Sequence, residues 1–171
     1  MSRPPPATER LRVRRAVAAD AAVVAALINE LNAHQQEPTG HVTPEAVARD
    51  GFGQHPEFAV LLAELDGGPV GYALYHPTWS TEVGERGFYL YDLYVRAGAR
   101  GHGVGRALMA ALAARAKAEG RTFLWWSSKA WNQEARAFYR DLGAIEEEAR
   151  SHILLGDPFE ALAQAAPPGE A

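Results

Sequence analysis

The chain reads as an α/β protein built on a sheet of mixed strand direction, and three observations predict it. Asp66-Gly67-Gly68 separates two apolar runs, residues 58–65 and 69–75, in the manner of a hairpin. An apolar strand over residues 87–95 gives way to helical spacing at Val104, Ala107, Leu108, Ala111 and Leu112, then to another strand at 122–127. That succession is a β-α-β unit, whose crossover joins parallel strands with right-handed sense. A strand and two helices precede the hairpin, so antiparallel and parallel pairings share one sheet.

The elements follow in order along the 171 residues. Leu and Val alternate with arginines over residues 11–17, the pattern of a half-buried first strand. Asp20 is placed to cap a helix reaching about Ala33, with Val23, Val24, Leu27, Ile28 and Leu31 on one stripe. Pro38-Thr39-Gly40 breaks it, and Thr43-Pro44 opens a second helix ending near Gly51. Residues 79–86 read as a polar connection over the site. Asn132 caps a short helix closed by Leu142-Gly143, and residues 151–155 form a last short strand. The expected organisation is a disordered lead at 1–9, one domain at 10–156 and a polar, Ala/Pro-rich tail at 157–171.

Composition narrows the function classes. No apolar run approaches the ~20 residues of a membrane helix, and the N-terminus lacks a signal peptide's apolar segment. With no cysteine, the chain has no disulfide, no thiolate nucleophile and no cysteine-ligated metal. Histidines at 34, 41, 55, 76, 102 and 152 show no ligand spacing, so no metal is expected. A net charge of −4 argues against nucleic acid as the main partner. The expected setting is cytoplasmic, away from membranes.

The most informative stretch runs from an apolar strand through Arg100-Gly101-His102-Gly103-Val104-Gly105-Arg106 directly into a helix. Glycines allow a tight turn and close approach of backbone to a ligand. The first N–H groups of a helix lack intrahelical partners, and the dipole favours an anion there. The even glycine spacing is not that of a dinucleotide-binding turn, and no acidic residue follows about 20 positions on. No Gly-Lys-Ser/Thr follows either, which excludes the triphosphate loop. A turn with glycines for packing is the alternative that stays open.

Arg100-x-x-Gly103-x-Gly105 after a strand resembles the signature of the GNAT N-acetyltransferase family. Two further segments match in order. Trp131-Asn132-Gln133-Glu134-Ala135-Arg136-Ala137-Phe138-Tyr139 runs to Leu142-Gly143-Ala144, and Asp50-Gly51-Phe52-Gly53-Gln54-His55-Pro56 precedes Phe58. The last is similar to the diamine and polyamine acetyltransferase branch, the spermidine/spermine acetyltransferase-like proteins. The resemblance covers residues 11–155. It implies a mainly antiparallel central sheet, helices on both faces and a β-α-β core that binds acetyl-CoA. It further implies acetyl transfer to a primary amine of a small molecule, by a homodimer. Two positions depart from the polyamine branch: Tyr91 stands where a carboxylate is usual, and His34-Gln35-Gln36 is neutral where acid is usual. An amino acid, antibiotic or other non-polyamine amine as acceptor therefore stays open, as does an acyl-CoA sensor without turnover.

The resemblance also assigns residues. The strand at Leu93, Tyr94 and Val95 would splay from its parallel neighbour to receive the pantetheine arm, with the Leu93 N–H polarising the thioester carbonyl. Amides at Gly101, His102, Gly103, Val104, Gly105 and Arg106 would cradle the diphosphate, with Arg100 and Arg106 adding charge. Asn132 would contact the cofactor besides capping its helix. Tyr139 is the candidate acid, since a phenol of pKa near ~10 can protonate a departing thiolate of pKa near ~8.5. It lies one step off the stripe of Ala135, Phe138 and Leu142, with Phe138 expected in the core; an aromatic pair packing the helix is the other reading. Asp92 is the only carboxylate in its strand: either the base, reached through water, or a buried structural acid. Successive strand residues face opposite ways, so Tyr91 and Asp92 share a site only if a bulge reorients them. Tyr91 and Trp79 are candidate walls for the acceptor, and Glu30 a candidate acid near it. Of Trp125 and Trp126, one is expected in the core.

Overall fold

A computed structural model describes residues 11–167; the lead at 1–9 and residues 168–171 of the tail lie outside them. Contacts divide the chain after Trp131 into two compact units.

In the first unit five strands lie in the order β1-β2-β3-β4-β5: β1 Leu11–Arg15, β2 Ala59–Leu65, β3 Gly68–Ser80, β4 Glu85–Val95 and β5 Phe123–Trp126. The first four pair antiparallel and β5 joins β4 in parallel, so the sheet is mixed and mainly antiparallel. The β2–β3 turn has φ of 51° at Asp66 and 84° at Gly67, the two left-handed central residues of a tight hairpin.

Alternation along each strand divides the core into two layers. Val60, Leu62, Tyr72 and Leu74 face α1 (Ala21–His34) and α2 (Pro44–Phe52), where Val24, Leu27, Leu31 and Val47 complete a buried cluster. Their neighbours Leu61, Ala63, Ala73, Tyr75, Phe88 and Leu90, also buried, point to the other face. There α3 (Val104–Ala118) packs through Val104, Leu108, Leu112 and Ala116. Helices thus cover both faces, as expected. Thr43 caps α2, its Oγ1 accepting the Ala46 N–H at 3.2 Å, with Pro44 at the first helical position.

Three expectations are corrected here. Asp20 does not cap α1 through its side chain. Its backbone is already helical, and its carboxylate instead accepts the Val17 N–H at 2.8 Å and two bonds from the Arg14 guanidinium at 2.7 and 2.8 Å. Arg14 also donates to Glu64 at 2.7 Å, so one guanidinium ties β1, β2 and the entry to α1. The stretch 79–86 is not a loop either. β3 runs on to Ser80 and β4 starts at Glu85, with Trp79 opposite Arg86. This end extends past β2, whose Ala59 pairs with Tyr75, so no third strand demands apolar alternation from it. Trp125 and Trp126 are both outside the core; Trp125 is 61% exposed.

The second unit carries α4 (Gln133–Asp141) and α5 (Gly156–Gln164). Asn132 Oδ1 accepts the Ala135 N–H at 3.0 Å, the cap expected for α4. At its end Gly143, at φ 86°, donates to Arg140 O while Ala144 N–H reaches Tyr139 O, the paired bonds of a Schellman motif. Residues 151–155 form no strand: they pair with no neighbour, and a strand alone leaves its backbone groups unmatched. The tail expected at 157–171 carries α5 over most of its described length; Pro158 sits in its first turn, where a missing N–H costs nothing, and alanines continue it. Phe138 is half-buried rather than core, and α4 has no buried residue.

The Arg14 pair yields a stability test. Arg14 holds the Asp20 carboxyl below its ordinary pKa, and the Val17 N–H adds to that. A depressed acid stabilises the fold above its unfolded pKa and loses that contribution as pH falls through the folded value. Asp20→Asn should lower stability at pH 7 by about 1–2 kcal/mol in urea titrations, a deficit that shrinks below pH ~4. An unchanged midpoint at pH 7 would remove this ion pair from the stability account.

Candidate functional site

The turn between β4 and α3 is shaped by two left-handed glycines. Gly101 has φ 81° and Gly103, at the helix cap, φ 77°. Side chains other than Gly enter this region at a cost, since Cβ crowds the following carbonyl. A Cβ at either position would meet nothing within 4 Å, so conformation and not packing requires Gly there. The first helix-closing bond runs from Ala107 N–H to Gly103 O at 2.9 Å. The N–H groups of Val104, Gly105 and Arg106 therefore precede the helical ladder, and the cap residue has no side chain to accept them. Val104 anchors the turn from beneath, fully buried, while residues 101–103 and Arg106 are exposed. Arg100 Nε donates to Val95 O at 3.1 Å, and His102 Nδ1 donates to Arg100 O at 3.0 Å, which steadies the turn.

The strand leading into this turn is irregular at one residue. Leu90 pairs with Tyr75 and Asp92 with Leu74, so Tyr91 has no partner in β3: a β-bulge. The bulge puts Tyr91 and Asp92 on one face. Tyr72, Leu74 and His76 alternate onto that face of β3; Asp92 accepts the Tyr72 hydroxyl at 2.9 Å, and the Tyr91 ring stacks on His76 at 4.8 Å. The parallel ladder with β5 stops at the same place. Its last pair is Leu90 with Trp126, so residues 92–95, Leu93, Tyr94 and Val95 among them, are paired to β3 alone. Beyond that point β4 presents a main-chain edge next to the glycine turn.

Hydrogen bonds and ion pairs set the electrostatics around this face. Burial pushes the Asp92 carboxyl above its ordinary pKa, and the Tyr72 hydrogen bond only partly opposes it. Tyr72 is fully buried, and its phenol is raised by burial and by Asp92. Glu30 is bound by Arg96 at 2.6 and 2.9 Å, with the Tyr94 hydroxyl at 3.5 Å; Arg96 holds its carboxyl below the usual range. Glu37 pairs with Lys129 at 2.8 Å.

The structure thus brings together Tyr91, Asp92, Leu93, Tyr94 and Val95 with the turn at 100–106, and sets Glu30 beside Tyr94. Trp79 is not among them. It is 58% exposed on the far end of β3, and strand alternation puts it on the face opposite Tyr91 and His76. Asn132 and Tyr139 belong to the second unit, where the Tyr139 ring lies 5.4 Å from that of Phe138. Sequence reasoning missed Tyr72, His76, Tyr89 and Arg96. Their signal is the period-two series Tyr72, Leu74, His76, which acquires meaning only once the β3–β4 register is known.

The donor set fits an anionic handle held by backbone amides: an open glycine turn, three helix-opening N–H groups and an adjacent strand edge. Among the described residues no group of three His, Asp or Glu is arranged to hold a metal ion. No described helix is long and apolar enough to cross a membrane.

Comparison with known proteins gives one consistent family. Residues 24–144 match the family profile described as "Acetyltransferase (GNAT) family". The chain is 33% identical over 141 residues to a thialysine N-epsilon-acetyltransferase of Bos taurus, covering 77% of this chain and 82% of that protein. It is 29% identical over 143 residues to the human spermidine/spermine N(1)-acetyltransferase-like protein 1, covering 79% of this chain but 20% of that protein. A solved structure of the aminoglycoside N-acetyltransferase AAC(6')-Iy in complex with CoA superposes with a TM-score of 0.70, at 20% identity, covering 89% of this chain and 98% of that one.

The half-buried Asp92 generates a prediction that does not depend on activity. An acid whose folded pKa is raised costs the fold stability once pH exceeds that value, and none below its unfolded pKa. Asp92→Asn, still an acceptor for Tyr72, should therefore raise the melting temperature at pH 8 relative to the wild type, with the gap closing near pH 4. A gap of the same size at both pH values would show that desolvation of the charge is not the cause.

Proposed function

The chain belongs to the GNAT family of N-acetyltransferases, and from that premise we propose that it transfers acetyl from acetyl-CoA directly to a primary amine of a small molecule. The observation that carries this is the end of the β4–β5 ladder at Leu90 and Trp126, immediately before the bulge and ahead of the open glycine turn. When bound, acetyl-CoA supplies an activated acyl group on a good sulfur leaving group.

The chain's own residues do the rest. Amides of residues 101–106 and the α3 N-terminus bind the diphosphate, with Arg100 and Arg106 adding positive charge. The edge at Leu93, Tyr94 and Val95 pairs with the pantetheine amides, and the Leu93 N–H polarises the carbonyl so that charge developing on its oxygen meets a fixed donor. An alkylammonium has pKa near ~10.4, so at pH 7 about one molecule in a thousand is nucleophilic. Asp92 takes the proton, directly or through water; a carboxyl with raised pKa is a better-matched base than an ordinary one. Tyr139 returns a proton to the departing sulfur, and Asn132 adds a contact to the cofactor. Holding amine and carbonyl in register contributes much of the acceleration. The setting proposed is a cytoplasmic homodimer.

The branch resemblance suggests one acceptor class, a primary amine of diamine or polyamine type. One observation favours a second reading, an amino acid or other amine with less positive charge. Glu30 is spent on Arg96 and Glu37 on Lys129, which leaves few free carboxylates for a polycation. The activity in the bovine relative's name, acetylation at the epsilon nitrogen of thialysine, fits that reading as well.

Thiol release measured with spermidine, lysine analogues and aminoglycosides side by side tests the activity; tight cofactor binding with no amine-dependent thiol would make the protein a sensor instead. Gly103→Glu puts a carboxylate at the cap and should weaken acetyl-CoA binding at least about tenfold by calorimetry; unchanged affinity would move the diphosphate elsewhere. Tyr139→Phe should lower kcat about 100-fold with cofactor affinity retained, and an unaltered kcat would relieve Tyr139 of the acid's task.

A further inference from the structure

Four rings line the sheet face at the bulge. Tyr91 stacks on His76 with centroids 4.8 Å apart at 29°. Tyr89 contacts His76 at 5.6 Å, Tyr91 edge-on at 5.1 Å, and Trp125 edge-on at 5.5 Å across the parallel ladder. His76, Tyr89, Tyr91 and Trp125 thus form one continuous shelf over β3, β4 and β5. A carbonyl oxygen only accepts, so the 2.7 Å contact between His76 Nδ1 and Pro77 O fixes the proton on Nδ1 and the ring's orientation. Tyr91 and Trp125 are 58% and 61% exposed, large rings open at a place where burial would be favourable.

Position and charge say what the shelf takes. Its rings come from residues 89, 91 and 125, which bracket the last parallel pair, Leu90 with Trp126. It therefore lies at the mouth of the gap beyond that pair, where Leu93 has no partner on the β5 side, and Asp92 follows Tyr91 on the same face. Aromatic faces attract a cation, most strongly at Trp, and also cover apolar stems. A second ammonium finds little there, because Glu30 and Glu37 already hold cations. Resting on the acetyl-transfer reading and on the second of its two acceptor classes, we propose that the His76–Tyr89–Tyr91–Trp125 shelf is the acceptor's binding floor, and that it selects a singly charged ammonium on an apolar or uncharged stem over diamines and polyamines. The ammonium lies against Tyr91 and Trp125, its stem covers Tyr89, and its nitrogen is presented to Asp92 and to the strand edge.

The test compares n-pentylamine, pentane-1,5-diamine and spermidine with the full-length protein and acetyl-CoA. The singly charged amine should have the highest kcat/KM, by about fivefold or more. Trp125→Ala, at an exposed site, should raise the pentylamine KM about tenfold with the loss falling on KM and not kcat, and Trp125→Phe should restore most of it. Tetramethylammonium, which cannot be acetylated, should compete with the amine but not with acetyl-CoA, and should do so about tenfold less well in Trp125→Ala. Spermidine or the diamine as the better substrate overturns the proposal, and so does a KM indifferent to Trp125→Ala and to Tyr89→Leu alike. A change of oligomeric state in Trp125→Ala, in place of a KM change, makes the shelf an interface between copies and equally overturns it. Should no amine release thiol, the acetyl-transfer reading falls, and the shelf is judged by pentylammonium binding alone: weaker in Trp125→Ala supports it, unchanged overturns it.

Discussion

Because β4 carries one residue more than β3 between Leu90 and Asp92, it cannot hold its alternation past that point, and its relation to both neighbours changes there. Before the bulge, Phe88 and Leu90 are buried on the α3 face and β5 runs alongside. After it, Asp92 and Tyr94 face α1, and β5 has ended. A regular strand would leave Tyr91 and Asp92 on opposite faces and keep Leu93 within reach of continued pairing. The bulge gathers an aromatic ring, a carboxyl and an unmatched strand edge within three consecutive residues, and the turn that follows inherits its direction. The site's chemistry is thus tied to a defect in a hydrogen-bond ladder more than to any single side chain.

The charged side chains near this site are largely committed to one another. Arg96 bridges Glu30 and the Pro69 carbonyl, fastening α1 to the β2–β3 hairpin and the end of β4. Lys129 takes Glu37. Pairs this exposed or half-exposed contribute modestly to stability, but they remove net charge from the surface an acceptor would meet. What remains directed at an anion is backbone, at the α3 N-terminus, where donors are fixed by helix geometry and no side-chain rotamer is frozen on binding. What remains directed at a cation is the ring faces and Asp92. The two halves of the site differ in kind: one reads charge through main-chain dipoles, the other through aromatic surface.

Legibility from sequence follows the range of the interaction. The Gly101/Gly103 turn, the Asp66-Gly67 hairpin, the Thr43 cap and the Asn132 cap were all readable, since each is decided within four residues by backbone chemistry. Asp20 misled because its local position suits a cap, whereas its partner Arg14 lies in a strand and competes more strongly for the carboxylate. Residues 79–86 misled because a two-stranded ribbon beyond the main sheet has no buried face to impose apolar alternation. Residues 151–155 show the reverse error: Ile153 and Leu155 alternate as a strand would, yet no ladder receives them. At the site, Asp92 and Tyr91 were found as residue types, but their shared face depended on a register shift that no local pattern announces.

Tyr72 bears on why a base would be placed where Asp92 is. A carboxyl on a buried face costs the fold stability whenever it is charged, and water would remove that cost. Tyr72, its own phenol pushed up by burial, supplies one hydroxyl donor. Had several donors or a cation been supplied, as Arg96 is to Glu30, the carboxyl would be stabilised as an anion and its affinity for a proton would fall. One neutral donor is enough to orient the group and too little to quench it. The contrast between Asp92 and Glu30, two acids facing one side of a sheet with pKa values moved in opposite directions, separates a group whose affinity for a proton is raised from one held as an anion by its cation.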